Sequence, residues 1–163
     1  MEIKLKQKGF TLVELIIVIS IISLIVVTTV KWPSRKTNLY AQVQKLTSDI
    51  QYVQFLAMSR DERYRIQFNQ NSYVLTKPDA NNTPINFPSV VQSPNTTHRN
   101  IVQLEAGITL SADTQSIIFD GQGTPYDHNS TVLDQPVQIT LTLDETGQSE
   151  TITLIPDTGK VEI

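Results

Sequence analysis

The sequence predicts an α+β protein in which a long N-terminal helix, apolar in its first half and amphipathic in its second, packs against an antiparallel β-sheet head. Three observations predict it. Residues 10–30 form a run of twenty-one residues with a single charge, Glu14. Leu39, Val43, Leu46, Ile50, Val53 and Ala57 then recur at alternating spacings of four and three, the period of one helix face. From residue 63 onward, apolar residues come in short alternating groups separated by turn residues, the period of strands. Helix first and strands after is the order of an α+β domain.

The apolar run comes first. As a helix it extends about 31 Å at 1.5 Å per residue, close to the thickness of a bilayer core. It is too long for the apolar part of a secretory signal, and no small-residue cleavage site follows it. Gly9 precedes it, behind the short basic leader MEIKLKQKG with Lys4, Lys6 and Lys8. One reading is an uncleaved signal anchor. Lys31, Arg35 and Lys36 beyond the run balance the leader lysines, so charge asymmetry gives only a weak vote on orientation.

An acid near the start of such a helix is costly to insert and points to a role. Two roles fit Glu14. Thr11 and Glu14 have the spacing of a capping box, which satisfies free backbone donors at a helix start. Alternatively, a chain cut after Gly9 places the free α-amino group of Phe10 one helical turn before Glu14. In a bundle of such helices the carboxylate of one subunit pairs with the amine of its neighbour, neutralising two buried charges and fixing the stagger.

Lys8-Gly9-Phe10-Thr11-Leu12-Val13-Glu14-Leu15, followed by IIVISIISLI, resembles the processing and methylation motif of type IV pilins and type II secretion pseudopilins. The resemblance covers about the first quarter of the chain. It implies cleavage between Gly9 and Phe10 by a prepilin peptidase, N-methylation of Phe10 and an assembly role for Glu14. It also implies a pilin-like fold, with residues 1–9 as leader, 10–30 as the transmembrane or filament-core segment, 31–62 as the amphipathic stem helix and 63–163 as the β-rich head.

The remaining elements follow in order. Lys31 and Trp32 suit a membrane interface, and Pro33 kinks or restarts the helix. Beyond it, Lys36, Gln42, Lys45, Asp49 and Gln51 are expected largely off the apolar stripe. Tyr64, Ile66 and Phe68 alternate with Arg63, Arg65 and Gln67, with a turn at 69–72 and a return strand at 73–75. Residues 108–110 and 117–119 are further strands. The clearest pair is Val137–Leu143 against Thr151–Ile155, joined through a segment containing Gly147. Pro156-Asp157-Thr158-Gly159 is a turn, with Val161 and Ile163 in a short last strand. Residues 78–100 hold four of the eight prolines and read as a long surface loop.

In the C-terminal half, Ile118-Phe119-Asp120-Gly121-Gln122-Gly123 and Ile155-Pro-Asp-Thr-Gly-Lys-Val161 resemble the GspH/FimT class of minor pilins and pseudopilins. Gly121, Gly123 and Gly159 read as turn glycines at positive φ.

Catalytic and metal patterns are absent from the sequence. The absence of cysteine excludes disulfides and thiolate chemistry. His98 and His128 lie thirty residues apart in expected loops, and there is no nucleophile elbow, zinc pattern or phosphate loop. Asp120, Asp127 and Asn129 offer oxygen ligands, but their spacing is not that of an EF-hand, and solvated turn carboxylates are the better account. No cofactor is indicated, and no enzyme.

Charge is distributed unevenly. Residues 10–99 carry nine Lys or Arg against five acids, whereas residues 100–163 carry Lys160 alone against ten. Some FimT-like pilins are DNA receptors that rely on basic residues near the C-terminus. Here that stretch is Gly159-Lys160-Val161-Glu162-Ile163, and phosphate contacts need clustered cations. The acidic half therefore argues against DNA binding. Arg60, Arg63 and Arg65 form the one compact basic group, diluted by Asp61 and Glu62, and are expected in solvent or in salt bridges between subunits. A basic stem and an acidic head can also attract one another between stacked subunits, setting register.

The resemblance thus implies a structural minor pilin or pseudopilin that initiates or caps a type IV pilus or a type II secretion pseudopilus. Its partners are the prepilin peptidase, the inner membrane and similar subunits met through the N-terminal helix. It passes the inner membrane once with its head in the periplasm, and from there reaches a filament at the cell surface. A major pilin of the filament body is the first alternative and a DNA-uptake minor pilin the second; the GspH/FimT-like tail and the absence of a Cys-closed loop favour the minor role, and the acidic half disfavours DNA uptake.

Overall fold

The computed structural model describes residues 11–29, 35–78, 89–94 and 101–163. It divides into two compact units, Met1–Ser34 and Arg35–Ile163. The first is represented by helix α1, Leu12–Thr29. At 18 residues it spans about 27 Å. Among the described residues no helix is long and apolar enough to cross a membrane. The ends that complete the 21-residue run, Phe10 and Val30, lie outside the described residues, as do the leader, Trp32 and Pro33.

The second unit opens with helix α2, Arg35–Arg60. Its apolar stripe is where the spacing puts it: Leu39, Val43, Leu46, Ile50, Val53 and Ala57 are all buried. The polar residues divide differently from expectation. Gln51 is exposed, but Gln42 and Asp49 are buried. Both sit within the stripe, Asp49 three residues after Leu46 and four before Val53, so the helix turns them inward. The helix stops in a left-handed cap. Asp61 has φ of 51°, and the Glu62 N–H donates to the Ala57 carbonyl at 3.2 Å, the six-to-one bond of a Schellman motif.

Among the described residues ten strands follow, in two antiparallel sheets rather than one. In the first, β1 (Tyr64–Asn69) is central, flanked by β2 (Ser72–Lys77) and β6 (Ser116–Phe119). β7 (Pro125–Tyr126) pairs with β6, while β3 (Ser89–Val91) and β4 (Ile101–Gln103) both pair with β2. The second sheet runs β10 (Val161–Glu162), β9 (Gln148–Leu154), β8 (Val137–Leu143), β5 (Ile108–Ala112). The β8–β9 hairpin is tighter than its sequence suggests. Leu143 faces Gln148, so the second strand begins three residues before Thr151, and Gly147 takes the turn at φ 66°.

Helix α2 packs against β1 and β6 of the first sheet and β8, β9 and β10 of the second. The alternation in β1 and β8 reads directly in burial: Tyr64, Ile66 and Phe68 point inward, as do Val137, Ile139, Leu141 and Leu143. β6 is buried along its whole length, because it lies inside a sheet and under the helix. The expected loop over 78–100 is interrupted by β3. Val91 of β3 is partly buried against the core, which a β-branched Val-Val pair makes possible. Residues 79–88 and 95–100, His98 included, lie outside the described residues.

Candidate functional site

Two regions bear on function: the start of α1, and the place where the C-terminal turns of α2 meet the glycine-bearing turns of the head. In α1 the Thr11 hydroxyl accepts the Glu14 N–H at 3.2 Å, and the Thr11 carbonyl accepts the Leu15 N–H at 3.2 Å. Thr11 therefore caps the helix through the backbone of Glu14. That leaves the Glu14 carboxylate uncommitted: it is exposed, and among the described residues no group donates to it. Gly9 and Phe10, the expected processing residues, lie outside the described residues.

The surroundings of Glu14 are unusual. Leu12, Val13, Leu15, Ile16, Ile17, Val18, Ile19, Ile21 and Ile22 are each at least 43% exposed, on every side of the helix. A helix apolar all round is stable only inside a larger apolar body, lipid or other helices. Its serines fit such a body. Ser20 donates to the Ile16 carbonyl and Ser23 to the Ile19 carbonyl, both at 2.7 Å, so neither hydroxyl needs water.

At the other end, Gln54 on α2 joins two turns that are distant in sequence. Its Nε2 donates to the Gly123 carbonyl at 3.1 Å and to the Thr158 carbonyl at 2.9 Å. The turn glycines are required in different ways. Gly123 and Gly159 have φ of 81° and 63°, as expected. Gly121 does not share that conformation; a Cβ there would collide with the Asp61 side chain and crowd its Cα. The correction has a plain cause: this glycine serves close approach of the helix cap to the turn. A Cβ on Gly159 would meet the Gln54 amide, the Gly123 carbonyl and the Phe119 ring. The two short motifs near 118–123 and 155–161 are thus one packed unit, with Gln54 at its centre. Gln54 carries no sequence signal of this role, since its partners lie 69 and 104 residues away.

Asp49 is the second residue that sequence reasoning misplaced. Its carboxylate receives the Tyr73 hydroxyl at 2.7 Å and the Ser93 hydroxyl at 2.8 and 2.7 Å, in full burial. Burial, then the Asp49 charge and hydrogen bond, push the Tyr73 hydroxyl far above its ordinary range. Its position in the apolar stripe, 46 plus three and 53 minus four, was the available signal.

The loop acids sit in turns. Asp120 Oδ1 accepts the Gln122 and Thr124 amides, each at 2.9 Å, and Oδ2 accepts the Tyr126 hydroxyl at 3.0 Å. Burial pushes its carboxyl up, but those donors and the Arg63 charge outweigh burial and hold it below the usual range. Asp127 accepts the Asn129 and Thr131 amides in the same manner, and His128 is exposed beside it. Among the described residues no group of three or more metal-ligating side chains converges.

The basic group is spent within the head. Arg60 donates to the Tyr64 hydroxyl at 3.3 Å, Arg63 lies 5.0 Å from the centre of the Tyr126 ring, and Arg65 donates to Thr76 at 3.1 Å. Lys160 is paired with Glu162 at 2.7 Å.

Comparison with known proteins agrees with this geometry. Residues 4–30 match the prokaryotic N-terminal methylation motif, and residues 42–158 match the family of type II transport protein GspH. The competence protein ComGD of Bacillus subtilis is 36% identical over 84 residues, 49% of this chain and 59% of ComGD. The chain thus spans under two thirds of that relative. Among solved structures, the type IV minor pilin FimU of Pseudomonas aeruginosa has a TM-score of 0.55 at 13% identity, covering 79% of this chain and 90% of FimU. The minor pseudopilin EpsH of the Vibrio cholerae type 2 secretion system has a TM-score of 0.56 at 10% identity, covering 77% of this chain and 94% of EpsH. At such identities these two show the fold.

Proposed function

The chain belongs to the GspH family of type II transport proteins, and from that premise we propose that it is a structural subunit that initiates or caps a type IV pilus or a secretion pseudopilus. One observation carries the reading: a methylation motif at residues 4–30 and a GspH head at 42–158 occur in register in one chain. In this reading residues 1–9 are a leader, cut between Gly9 and Phe10 by a prepilin peptidase, and Phe10 is N-methylated. Residues 10–30 pass the inner membrane once, then transfer to the filament core. Residues 31–62 are the stem, and residues 63–163 form a periplasmic head that later reaches the filament tip.

The chemistry of α1 supports transfer between lipid and protein. Its apolar surface is indifferent to which of the two surrounds it, and only Glu14 discriminates. In lipid an unpaired carboxylate costs several kcal/mol. Beside the Phe10 amine of a neighbour the two charges satisfy each other, so assembly is driven at that point by relief of a buried charge. The head performs no chemistry in this reading: its side chains cap, pack and pair. Similar subunits are its partners.

A second reading, a subunit of a competence pilus, is favoured by the match to ComGD. Direct DNA contact by this head is disfavoured, because residues 100–163 carry ten acids against Lys160 alone, and Lys160 is paired with Glu162. Mass spectrometry of the N-terminus, on protein purified from its native membrane, tests the main reading. N-methylated Phe10 is expected. An intact Met1 start, in cells with active peptidase, returns the chain to the signal-anchor class and removes the assembly role of Glu14.

A further inference from the structure

Helix α2 carries two seams, and the head covers one of them. The buried stripe from Leu39 to Ala57 faces the sheets. On the other side Ala41, Gln44, Ser48, Gln51, Phe55 and Met58 recur at alternating spacings of three and four, the a and d positions of a heptad repeat. The two stripes lie about 150° apart around the helix. All six residues of the outer one are exposed.

The composition of this outer seam is unusual for a face in water. It runs for about 26 Å without a charge, whereas the outward face of a helix ordinarily carries the charged residues. Phe55 is 60% exposed and Met58 47%, and Tyr40 stands exposed beside the seam. Its polar groups suit burial against another helix. The Ser48 hydroxyl donates to the Gln44 carbonyl at 2.9 Å, so like Ser20 and Ser23 of α1 it needs no water. Ala41 and Ser48, seven residues apart, are small enough for a second backbone to come close. The side-chain amides of Gln44 and Gln51, also seven apart, have no partner among the described residues.

These requirements select the occupant. A wholly apolar helix such as α1 would bury both amides unpaired, which is costly. A charged face would find no opposite charge. An amide both donates and accepts, so it is satisfied by a second amide. In a parallel pair of like helices a faces a and d faces d. Two copies of this seam, set in register, therefore bring Gln44 to Gln44, Gln51 to Gln51, small residues to small ones, and Phe55 and Met58 together at the apolar end. Turning one copy around Ser48 sets Ala41 against Phe55 and loses that match.

We infer that two copies of this chain dock through the outer faces of their α2 helices, parallel and in register. About two and a half heptads with two polar layers make a weak pair, whose polar layers fix register at a cost in stability. It forms where copies are concentrated, as in one membrane or one micelle. The inference goes beyond the proposed function: the contact joins stem to stem, not Glu14 to Phe10, and does not require the leader to be cut.

The chain has no cysteine, so single introduced cysteines report the pair directly. In the full chain in detergent, Ala41→Cys and Ser48→Cys should each form disulfides between copies at least about tenfold faster than Ala106→Cys and Ser149→Cys, exposed head positions off the seam. Gln51→Lys, an exposed change that sets two like charges face to face, should slow the Ala41→Cys disulfide at least about tenfold and leave the circular dichroism of the head unchanged. Equal rates on and off the seam, or an Ala41→Cys rate indifferent to Gln51→Lys, overturns the inference. Faster coupling of Ser48→Cys to an Ile17→Cys chain than to its own kind also overturns it, and assigns the seam to α1.

Discussion

Replacing Gly159 by alanine isolates the packed unit formed by Gln54 and the two glycine turns. Gly159 sits at φ 63°, where an added Cβ costs about 1–2 kcal/mol. The new methyl also lies against the Gln54 amide, 2.9 Å from the Gly123 carbonyl and 3.0 Å from the Phe119 ring. The Gln54 amide is the group free to move, and moving it breaks its bonds to the Gly123 and Thr158 carbonyls. Each is worth about 0.5–1.5 kcal/mol. The combined loss is roughly 2–5 kcal/mol, a large part of the stability of a domain this size. Urea unfolding of the full chain in detergent, read by near-ultraviolet circular dichroism of the head tyrosines, gives the midpoint from which the loss is calculated. Gln54→Ala makes the reasoning refutable. Alone it should cost about 1–3 kcal/mol, the sum of its two bonds. In its background Gly159→Ala should cost only the backbone term and residual crowding, so the pair is less than additive. Full additivity, or a loss under about 0.5 kcal/mol for Gly159→Ala, would refute the account of Gln54 as the joint between the turns.

Two further predictions follow from single groups. Asp120 is held below the ordinary carboxyl value of 3.8, so its contribution to stability is full above that value and is lost as pH falls through its lower folded one. Asp120→Asn should therefore flatten the acid limb of the stability curve below about pH 4 while changing little of its shape near neutrality; an unchanged acid limb would remove Asp120 from the account. Glu14→Gln, which keeps the N–H that Thr11 accepts, should leave the head's urea midpoint unchanged and lower recovery of the subunit in sheared filaments at least tenfold, the equivalent of about 1.4 kcal/mol. Normal recovery would show that the carboxylate is dispensable for assembly.

What was legible in the sequence was whatever depends on neighbours along the chain. The stripe from Leu39 to Ala57 is a local periodicity, and so is the alternation of Val137–Leu143; both appear unchanged in the burial pattern. Hairpin pairing was legible, as in β1–β2 and β8–β9, but pairing between strands distant in sequence was not. β1 lies beside β6, fifty residues on, and alternation tells which face a side chain takes but not which strand lies next to it. Hence two sheets arose where one was expected. Gln42 and Asp49 were misplaced by the same limit. Polarity was taken to mean solvent, but a buried carboxylate is stable where hydroxyls from residues 24 and 44 positions away meet it. The glycines divide along this line as well. Positive φ at Gly123 and Gly159 follows from turn-forming neighbours, whereas the need for Gly121 comes from Asp61 across the fold.

The two units solve opposite problems with the same polar groups. In the second unit, Asp49, Asp120 and Asp127 each accept hydroxyls or amides of their own chain. In α1, Ser20 and Ser23 are likewise closed onto their own helix. Among the described residues of α1 the Glu14 carboxylate is the exception, and its cap could have used it. The spacing Thr11–Glu14 permits the reciprocal bond of a capping box, yet the helix start draws only on the Thr11 hydroxyl and the Glu14 amide. An acid left exposed in an otherwise apolar helix, while the serines beside it are closed onto their own backbone, is what the proposed role in assembly requires. Under the proposed cleavage after Gly9, the α-amine of Phe10 on a neighbouring subunit is the donor that reading supplies, and the Glu14→Gln variant tests it.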